Sequence, residues 1–405
     1  MWKKLSSEEI KARVFSALED TVNYYEQSVL GVPASHLDSQ VFYQGASFLK
    51  EAPFISTLVR NPNHIGCHTL GKSESFFRGT QEIEKELIEI CAVDILKATP
   101  NSIDGYVASG GTEANLQAIW IYRNYFKQEF AVNNNQIGII CSADSHYSMD
   151  KASNVLSIQL DKVAVDFNNR SLTKEAVSDT VLRLQEKGVT HFIVVANMMT
   201  TMFGSVDSID SYTTVLDEMN IPYKLHVDGA YGGFYYPFTK KDTQLAFSNP
   251  KVSSVTLDAH KMLQAPYGTG LFLCRKGLIH FTNTKEASYV EGEDYTLIGS
   301  RSGANAIAIW MILTTYGPFG WNEKILILQN RTNWMCQQLE QLGIDYYRNP
   351  YCNIITIKSK FVKPDVAKKY GLVPDNHQEP NWYKIVIMEH VTTEGLVPLV
   401  EELAS

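Results

Sequence analysis

The 405 residues carry 36 Lys and Arg against 44 Asp and Glu, a formal charge of −8, with 44% hydrophobic and 20% charged residues. That describes an ordinary globular chain of roughly two or three structural units, long enough to bury a core without disulfides. An acidic balance with no Lys/Arg-rich run lacks the electrostatic footprint of a phosphate-backbone binder, so nucleic acid is not expected as a partner.

In chain order, Met1-Trp2-Lys3-Lys4-Leu5-Ser6-Ser7-Glu8-Glu9 turns polar where a signal peptide needs its apolar segment, so export is not expected. Ser7, Glu8 and Glu9 ahead of Ile10, Val14, Phe15, Leu18 and Val22 predict a capped amphipathic helix reaching about Tyr25. Ile83, Leu87, Ile90 and Ile95 predict a second helix from Gln81. From about residue 105 the pattern changes to short apolar runs between helical stretches. Gly138 to Cys141, Val163 to Val165, Phe192 to Ala196, Lys224 to Val227, Ser254 to Leu257 and Gly270 to Cys274 predict strands. Several are apolar at consecutive positions, as in strands buried on both faces of a largely parallel sheet. Beyond about residue 290, helices are predicted at Ala304 to Thr315 and Glu323 to Leu342. A small α+β unit follows, with strands at Ile354 to Ile357 and Lys384 to Met388 and a closing helix at Thr393 to Leu403. The apolar run Ala304 to Tyr316 is too short for a membrane span and stops at Gly317-Pro318, so it reads as a buried helix and no membrane is expected.

Cys67, Cys91, Cys141, Cys274, Cys336 and Cys352 are scattered with no CxxC pair, which reads as reduced thiols in a reducing cytoplasm. His64, Cys67 and His68 stand close together, but without a second ligand cluster they read as packing or substrate contacts, with no metal.

Four features fall at strand ends or loops of the α/β region, where open parallel sheets bind ligands. Ser109-Gly110-Gly111-Thr112-Glu113-Ala114-Asn115 leads into the helical run Leu116 to Phe126. Its two glycines and hydroxyl offer backbone N–H groups and a helix dipole to a phosphate, although a glycine-rich cap without a ligand is an equal reading. His226-Val227-Asp228-Gly229-Ala230 is a strand ending in a carboxylate, which alone reads as a cap or turn residue. Leu257-Asp258-Ala259-His260-Lys261-Met262 ends in a lysine that alone reads as a solvated group. Ser142-Ala143-Asp144-Ser145-His146-Tyr147-Ser148 is a polar loop whose histidine alone reads as solvated or capping. Together, a phosphate cradle, a stacking aromatic, a carboxylate and an amine are the groups that pyridoxal phosphate needs. In that reading Lys261 is the Schiff-base amine, and Asp228 keeps the pyridine nitrogen protonated so that the ring absorbs electrons from a breaking bond.

The stretches SGGTEAN, SADSHYSMDKAS, TTMFGSVDSI, HVDGAYGGF, LDAHKM and GSRSGANA, in this order over roughly residues 60 to 310, resemble the successive motifs of the group II pyridoxal-phosphate-dependent amino acid decarboxylases. IVIMEHVTTEGLVPLVEEL resembles that family's closing segment. The short length and the GSRSG and MEHVT forms are most similar to the compact bacterial and archaeal members, which include tyrosine/aspartate and histidine decarboxylases. The resemblance implies an α/β chain of the fold type I, aspartate aminotransferase-like class, with a large mostly parallel sheet domain and a small α+β C-terminal domain. The implied divisions are residues 1–60 as a helical dimerisation segment, 61–290 as the cofactor domain and 291–405 as the small domain.

Position by position, the resemblance implies Lys261 as the Schiff-base lysine, His260 on the phosphate side and Asp228 as the pyridinium partner. Ala230 and His146 match the residues on opposite faces of the ring, and Gly111, Thr112 and Thr201 fall among the cofactor contacts. The family builds its sites between two chains of a homodimer, so Ser300 is implied to reach a phosphate across the interface. Tyr289, in the loop Thr284 to Asp294, matches a tyrosine proposed to reprotonate the α-carbon, with His146 as the other candidate donor and an ordinary loop tyrosine as its alternative. Asn63, His64 and His68 are candidates for holding a polar substrate side chain, with packing at the dimer interface as their alternative. Met199 stands where the family usually has glycine before the double threonine, which reshapes the site. The implied reaction converts an L-amino acid, aromatic or aspartate-type, to its amine and CO2. Histidine or another polar amino acid is an alternative, as is a carbon–carbon lyase of the sphingosine-phosphate-lyase type.

Overall fold

The computed structural model describes residues 1–21, 47–59, 74–283 and 292–404, together with the backbone of 63–65. Helix Ser7–Glu19 is capped by Ser6, whose hydroxyl accepts the Glu9 N–H while the Glu9 carboxylate accepts the Ser6 N–H. The cap therefore sits one residue earlier than predicted, and the helix closes at Asp20, short of Tyr25. The second helix, Arg78–Glu89, runs on into a π-helical turn at Ile90–Ile95.

The strands are β1 (Asn63–Ile65), β2 (Ile103–Ala108), β3 (Ile137–Ser142), β4 (Gln159–Val163), β5 (His191–Asn197), β6 (Tyr223–Gly229), β7 (Val252–Asp258), β8 (Gly270–Arg275), β9 (Ser300–Ser302), β10 (Tyr346–Tyr347), β11 (Ile354–Lys358), β12 (Val373–Pro374) and β13 (Trp382–Val386). The main sheet has the order β2-β8-β7-β6-β5-β3-β4. Strands β3 to β7 pair in parallel, whereas β8 is antiparallel to both β7 and β2. Every residue of β3 and β5 is buried, which is why their consecutive apolar runs are legible as central strands. At the sheet edge, β4 precedes the predicted Val163 to Val165; its Gln, Asp and Lys side chains mask it as a polar stretch. Asp104 and Gly105 likewise interrupt the apolar run of β2, yet Gly105 is required there, because a Cβ would lie 2.5 Å from the Phe272 carbonyl of β8.

The two predicted helices after residue 303 form one kinked rod, Gly303–Gln341, bent at Gly317 (φ 62°) and Pro318. Its first part packs in the core beneath the main sheet, and the part from Met335 packs against a four-stranded antiparallel sheet of order β10-β11-β13-β12. Strand β13 starts two residues before the predicted Lys384, and the closing helix is Thr393–Leu403 as read from the sequence. No described helix is long and apolar enough to cross a membrane. The described cysteines, Cys91, Cys141, Cys274, Cys336 and Cys352, are free and buried.

Because β8 is antiparallel to both its neighbours, β2 runs in the direction of β7. The C-terminal ends of β2, β3, β5, β6 and β7 therefore gather along one edge of the sheet. The segments that follow them carry Gly111, His146, Met199, Ala230 and Lys261.

Candidate active site

A cavity of about 350 Å³ opens at this edge, and Gly111, Thr112, His146, Met199, Thr201, Asp228, Ala230, His260 and Lys261 all line it. Asn115, Asn197, Tyr147, Tyr231 and Asp258 complete much of its wall. Residues drawn from five separate loops thus meet in one place.

Lys261 lies in the turn after β7, with Nζ 3.6 Å from Oδ2 of Asp258, a buried carboxylate ending that strand. The same Oδ2 accepts the Gly111 N–H at 3.1 Å, and Asp258 Oδ1 lies 2.6 Å from His260 Nδ1. Burial pushes the Asp258 pKa up, against the opposing pull of Lys261 and His260. Asp258 thereby ties the lysine loop to the glycine turn, and the Gly111 N–H expected for a phosphate is directed to a carboxylate. Thr112 remains at the positive end of helix Gly111–Phe130. A Cβ on Gly111 would lie 2.9 Å from the Ala230 Cβ, so only glycine lets this helix start approach the strand ends. The ring of His260 faces Tyr267 at 4.8 Å between centroids.

Asp228, at the end of β6, is 8% exposed. Its Oδ2 accepts Asn115 Nδ2 at 2.9 Å, and its Oδ1 accepts the Ala230 N–H at 3.1 Å. His146 Nδ1 accepts the Ser148 N–H at 3.2 Å and pairs with Ser148 Oγ at 2.9 Å. A backbone N–H can only donate, so the neutral imidazole carries its proton on Nε2. Burial lowers the His146 pKa, with Asp228 opposing and Lys261 adding to the shift, which favours that neutral form.

Met199 has a left-handed backbone, φ 69°, which explains a family glycine at this position. Here a thioether side chain only 3% exposed occupies the cavity wall instead. Truncation should reverse the usual order of residues: Met199→Gly should be more stable than Met199→Ala by about 1 kcal/mol, because only alanine keeps the left-handed strain. Paired urea titrations read that difference, and equal midpoints would contradict a strained Met199.

Several wall or rim residues escaped the sequence reading, Tyr147 and Tyr231 among them. Asn115 and Asp258 sit inside the quoted motifs, Asn197 ends β5, and Lys384 of β13 donates to the Thr201 carbonyl at 3.0 Å. Burial lowers the Lys384 pKa and the charge of Lys261 adds to the shift. The signal for Asn115 was its helical spacing from Gly111 and Thr112; Lys384, over a hundred residues further on, had none.

Other expected residues lie elsewhere. Ser300 is exposed, outside the cavity wall of its own chain, in β9, where it pairs with Ile65 of β1. Asn63 and His64 stand in β1 opposite Ser302 and Arg301. His68 and Tyr289 lie outside the described residues, as does Cys67. Among the described residues no group of three His, Cys, Asp or Glu side chains is placed to hold a metal ion.

Beneath Asp228, His226 is fully buried and its pKa falls to about 4 through desolvation. Unfolding releases it to an ordinary value of about 6.5, so the stability due to neutral His226 is complete above that pH and is lost towards about pH 4. At about pH 5 the loss should be about 2 kcal/mol. In urea titrations at neutral pH and at about pH 5, His226→Gln should lose that much less stability than the parent.

The donor set fits pyridoxal phosphate: a lysine amine entering the cavity, a carboxylate held on two sides inside it, an imidazole on its wall and a helix N-terminus at its end. A profile described as the pyridoxal-dependent decarboxylase conserved domain matches residues 82–352. The chain is 51% identical over 403 residues to the tryptophan decarboxylase of Clostridium sporogenes (strain ATCC 15579), spanning 99% of this chain and 97% of that protein. It is 29% identical over 367 residues to a probable L-tyrosine/L-aspartate decarboxylase of Methanocella arvoryzae, spanning 86% and 92% of the two chains. Among solved structures, L-methionine decarboxylase from Streptomyces sp. 590 aligns over 98% of this chain and 94% of its own, with TM-score 0.69 and 18% identity. Burkholderia pseudomallei sphingosine-1-phosphate lyase aligns over 100% and 83%, with TM-score 0.71 and 16% identity, so these two likenesses are of fold. With the profile spanning about two thirds of the sequence and the 51% identical relative matching nearly all of it, the chain belongs to the group II pyridoxal-phosphate-dependent amino acid decarboxylases.

Proposed function

We propose that this enzyme decarboxylates an aromatic L-amino acid, with L-tryptophan as principal substrate, to the amine and CO2. The observation that carries this reading is the 51% identity to the Clostridium sporogenes tryptophan decarboxylase over 99% of the chain. The cavity wall supports it: Met199, Ala230, Tyr147 and Tyr231 offer apolar and aromatic surface, and no described wall residue is an arginine that would pair with an aspartate side chain. A panel of L-tryptophan, tyrosine, phenylalanine, histidine, aspartate and glutamate, with CO2 and amine quantified, tests it. Tryptophan should give the largest kcat/KM; aspartate or histidine in first place would overturn the assignment, and release of an aldehyde with phosphoethanolamine from a sphingoid phosphate would move the reaction to the lyase class.

Pyridoxal phosphate, when bound, supplies the electron sink for the pair left behind as CO2 departs. Lys261 would hold the cofactor through its side-chain amine and would be the group the substrate amine replaces. Asp228, desolvated and fixed by Asn115 and by the Ala230 N–H, holds the proton on the ring nitrogen. His146, with its proton on Nε2, would stack on one face of the ring, and Ala230 would leave room on the other. Thr112, the helix start, Thr201 and His260 anchor the phosphate end, and Tyr289 returns the proton to the α-carbon.

The enzyme acts as a homodimer, with Ser300 completing the phosphate site of a second copy. Two exposures support this: Ser300 is exposed and is not among the wall residues of its own chain's cavity, and Tyr267 is left 86% exposed beside His260. Asn63 and His64, on the strand that pairs with that of Ser300, and His68 are the candidates to contact the substrate side chain in that dimer.

A further inference from the structure

Asn115 is 1% exposed, and each polar atom of its amide is engaged. Nδ2 donates to Asp228 Oδ2 at 2.9 Å and to Ser148 Oγ at 3.0 Å, and Oδ1 lies 3.0 Å from His226 Nε2. An amide nitrogen has two hydrogens, so both are committed, and the reversed orientation would set its oxygen against the Asp228 carboxylate.

This orientation fixes the direction of every bond around it. Asn115 Oδ1 can only accept, so His226 Nε2 carries the hydrogen, with Thr256 Oγ1 as a weaker second acceptor at 3.3 Å. His226 is neutral, so its Nδ1 accepts the Ser254 hydroxyl at 2.7 Å, and the Ser254 oxygen accepts the Tyr122 phenol. The result is a one-way chain from Tyr122 through Ser254, His226 and Asn115 that ends on Asp228. On the other branch, Ser148 Oγ accepts from Asn115, which leaves the Ser148 hydrogen for His146 Nδ1.

We propose that Asn115 is the positioning residue of this site: a single amide presents the Asp228 carboxylate to the ring-nitrogen end of the cavity and, through Ser148, clamps the His146 imidazole on the ring face. This rests on the roles given above to Asp228 and His146. Asn115 itself touches no reacting atom and acts through those two side chains.

Asn115→Asp isolates the donor function, because the carboxylate keeps the shape and still accepts from His226 while both hydrogens are lost and a second carboxylate faces Asp228. The readouts are the dissociation constant of pyridoxal phosphate for the apoprotein, the pH titration of the bound cofactor's absorption, and the unfolding temperature of the apoprotein. Asn115→Asp should weaken pyridoxal phosphate by about 10- to 100-fold, the range for losing a hydrogen bond to a charged group, and should displace the spectral titration. Asn115→Ala should weaken it to a similar extent and keeps the test available if the aspartate variant does not fold. Ser148→Ala, which cuts only the His146 branch, should change affinity by less than about threefold.

A purely structural Asn115 would lower the unfolding temperature of both variants and leave the affinity and spectrum of the folded protein unchanged, and that result overturns the proposal. Asp228→Asn is the reference. If it weakens pyridoxal phosphate while the Asn115 variants do not, the positioning role fails alone. If Asp228→Asn also binds like the parent, the role given to Asp228 fails with it.

Discussion

Lys261→Ala should lower turnover by about 10³- to 10⁶-fold, the scale of removing a covalent catalyst, and should abolish the visible absorption of lysine-bound cofactor. The size of the effect follows from where the amine stands. Lys261 enters the cavity from the turn after β7, and the nearest carboxylate to its Nζ, that of Asp258, is 3.6 Å away in a buried position. No other described wall residue is a lysine, so removal leaves no amine on the wall to hold the cofactor aldehyde or to displace product. Lys261→Arg should fail as fully as alanine, because a guanidinium keeps its proton and cannot act as a nucleophile. Asp258→Asn keeps an acceptor for Gly111 N–H and should cost far less than either. Spectra and single-turnover CO2 release from the three variants decide the matter, and normal turnover by Lys261→Ala would sink the role assigned to Lys261.

The contrast between Lys261 and Asp258 marks what was legible in the sequence. Lys261, Asp228 and His146 are visible because each stands at or just beyond the end of an apolar strand, in a motif whose chemistry makes sense only with the others. Strands β3, β5, β6 and β7 are visible because burial on both faces demands consecutive apolar residues. Asp258 and Asn115 lie inside the same motifs yet stay silent, since their partners are brought near only by the folded sheet: Asp258 meets a glycine 147 residues away, and Asn115 meets Asp228 across 113 residues. Lys384 reaches Thr201 from a different sheet altogether, and no spacing encodes that. The reading of Gly111 as a simple phosphate donor missed Asp258 for the same reason. Met199 was noticed as an oddity, but only its positive φ explains why glycine would be the easier residue there.

A buried ion pair outside the cavity should carry the largest stability effect. Glu84, fully buried in helix Arg78–Glu89, forms a bidentate pair with Arg301 of β9, with Nη2 to Oε2 at 3.1 Å. Burial works against the Arg301 charge, but Glu84 outweighs it and holds the guanidinium pKa above its ordinary value. The pair also serves the backbone: Glu84 Oε1 accepts the Val107 N–H at 2.7 Å, and Arg301 Nη1 donates to the Val107 carbonyl at 3.0 Å. Val107 belongs to β2, the last strand on its side of the sheet, so these bonds satisfy an edge that no strand covers. They also fix β9, and with it Ser300, beside the strand that leads into Ser109-Gly110-Gly111. Arg301→Met takes the bidentate guanidinium from a buried carboxylate, and Glu84→Leu takes the carboxylate from a buried guanidinium, so each should cost about 3–5 kcal/mol. The double variant removes both charges together and takes the Glu84 and Arg301 bonds from the Val107 N–H and carbonyl, at about 1–3 kcal/mol each. It should therefore be no less stable than the worse single variant, with a coupling energy of about 3 kcal/mol in a urea-denaturation cycle. Additive losses would show that the two side chains stabilise this edge independently. In that case β9 would be held by its pairing with β1 and by helix Gly303–Gln341, without help from the charges.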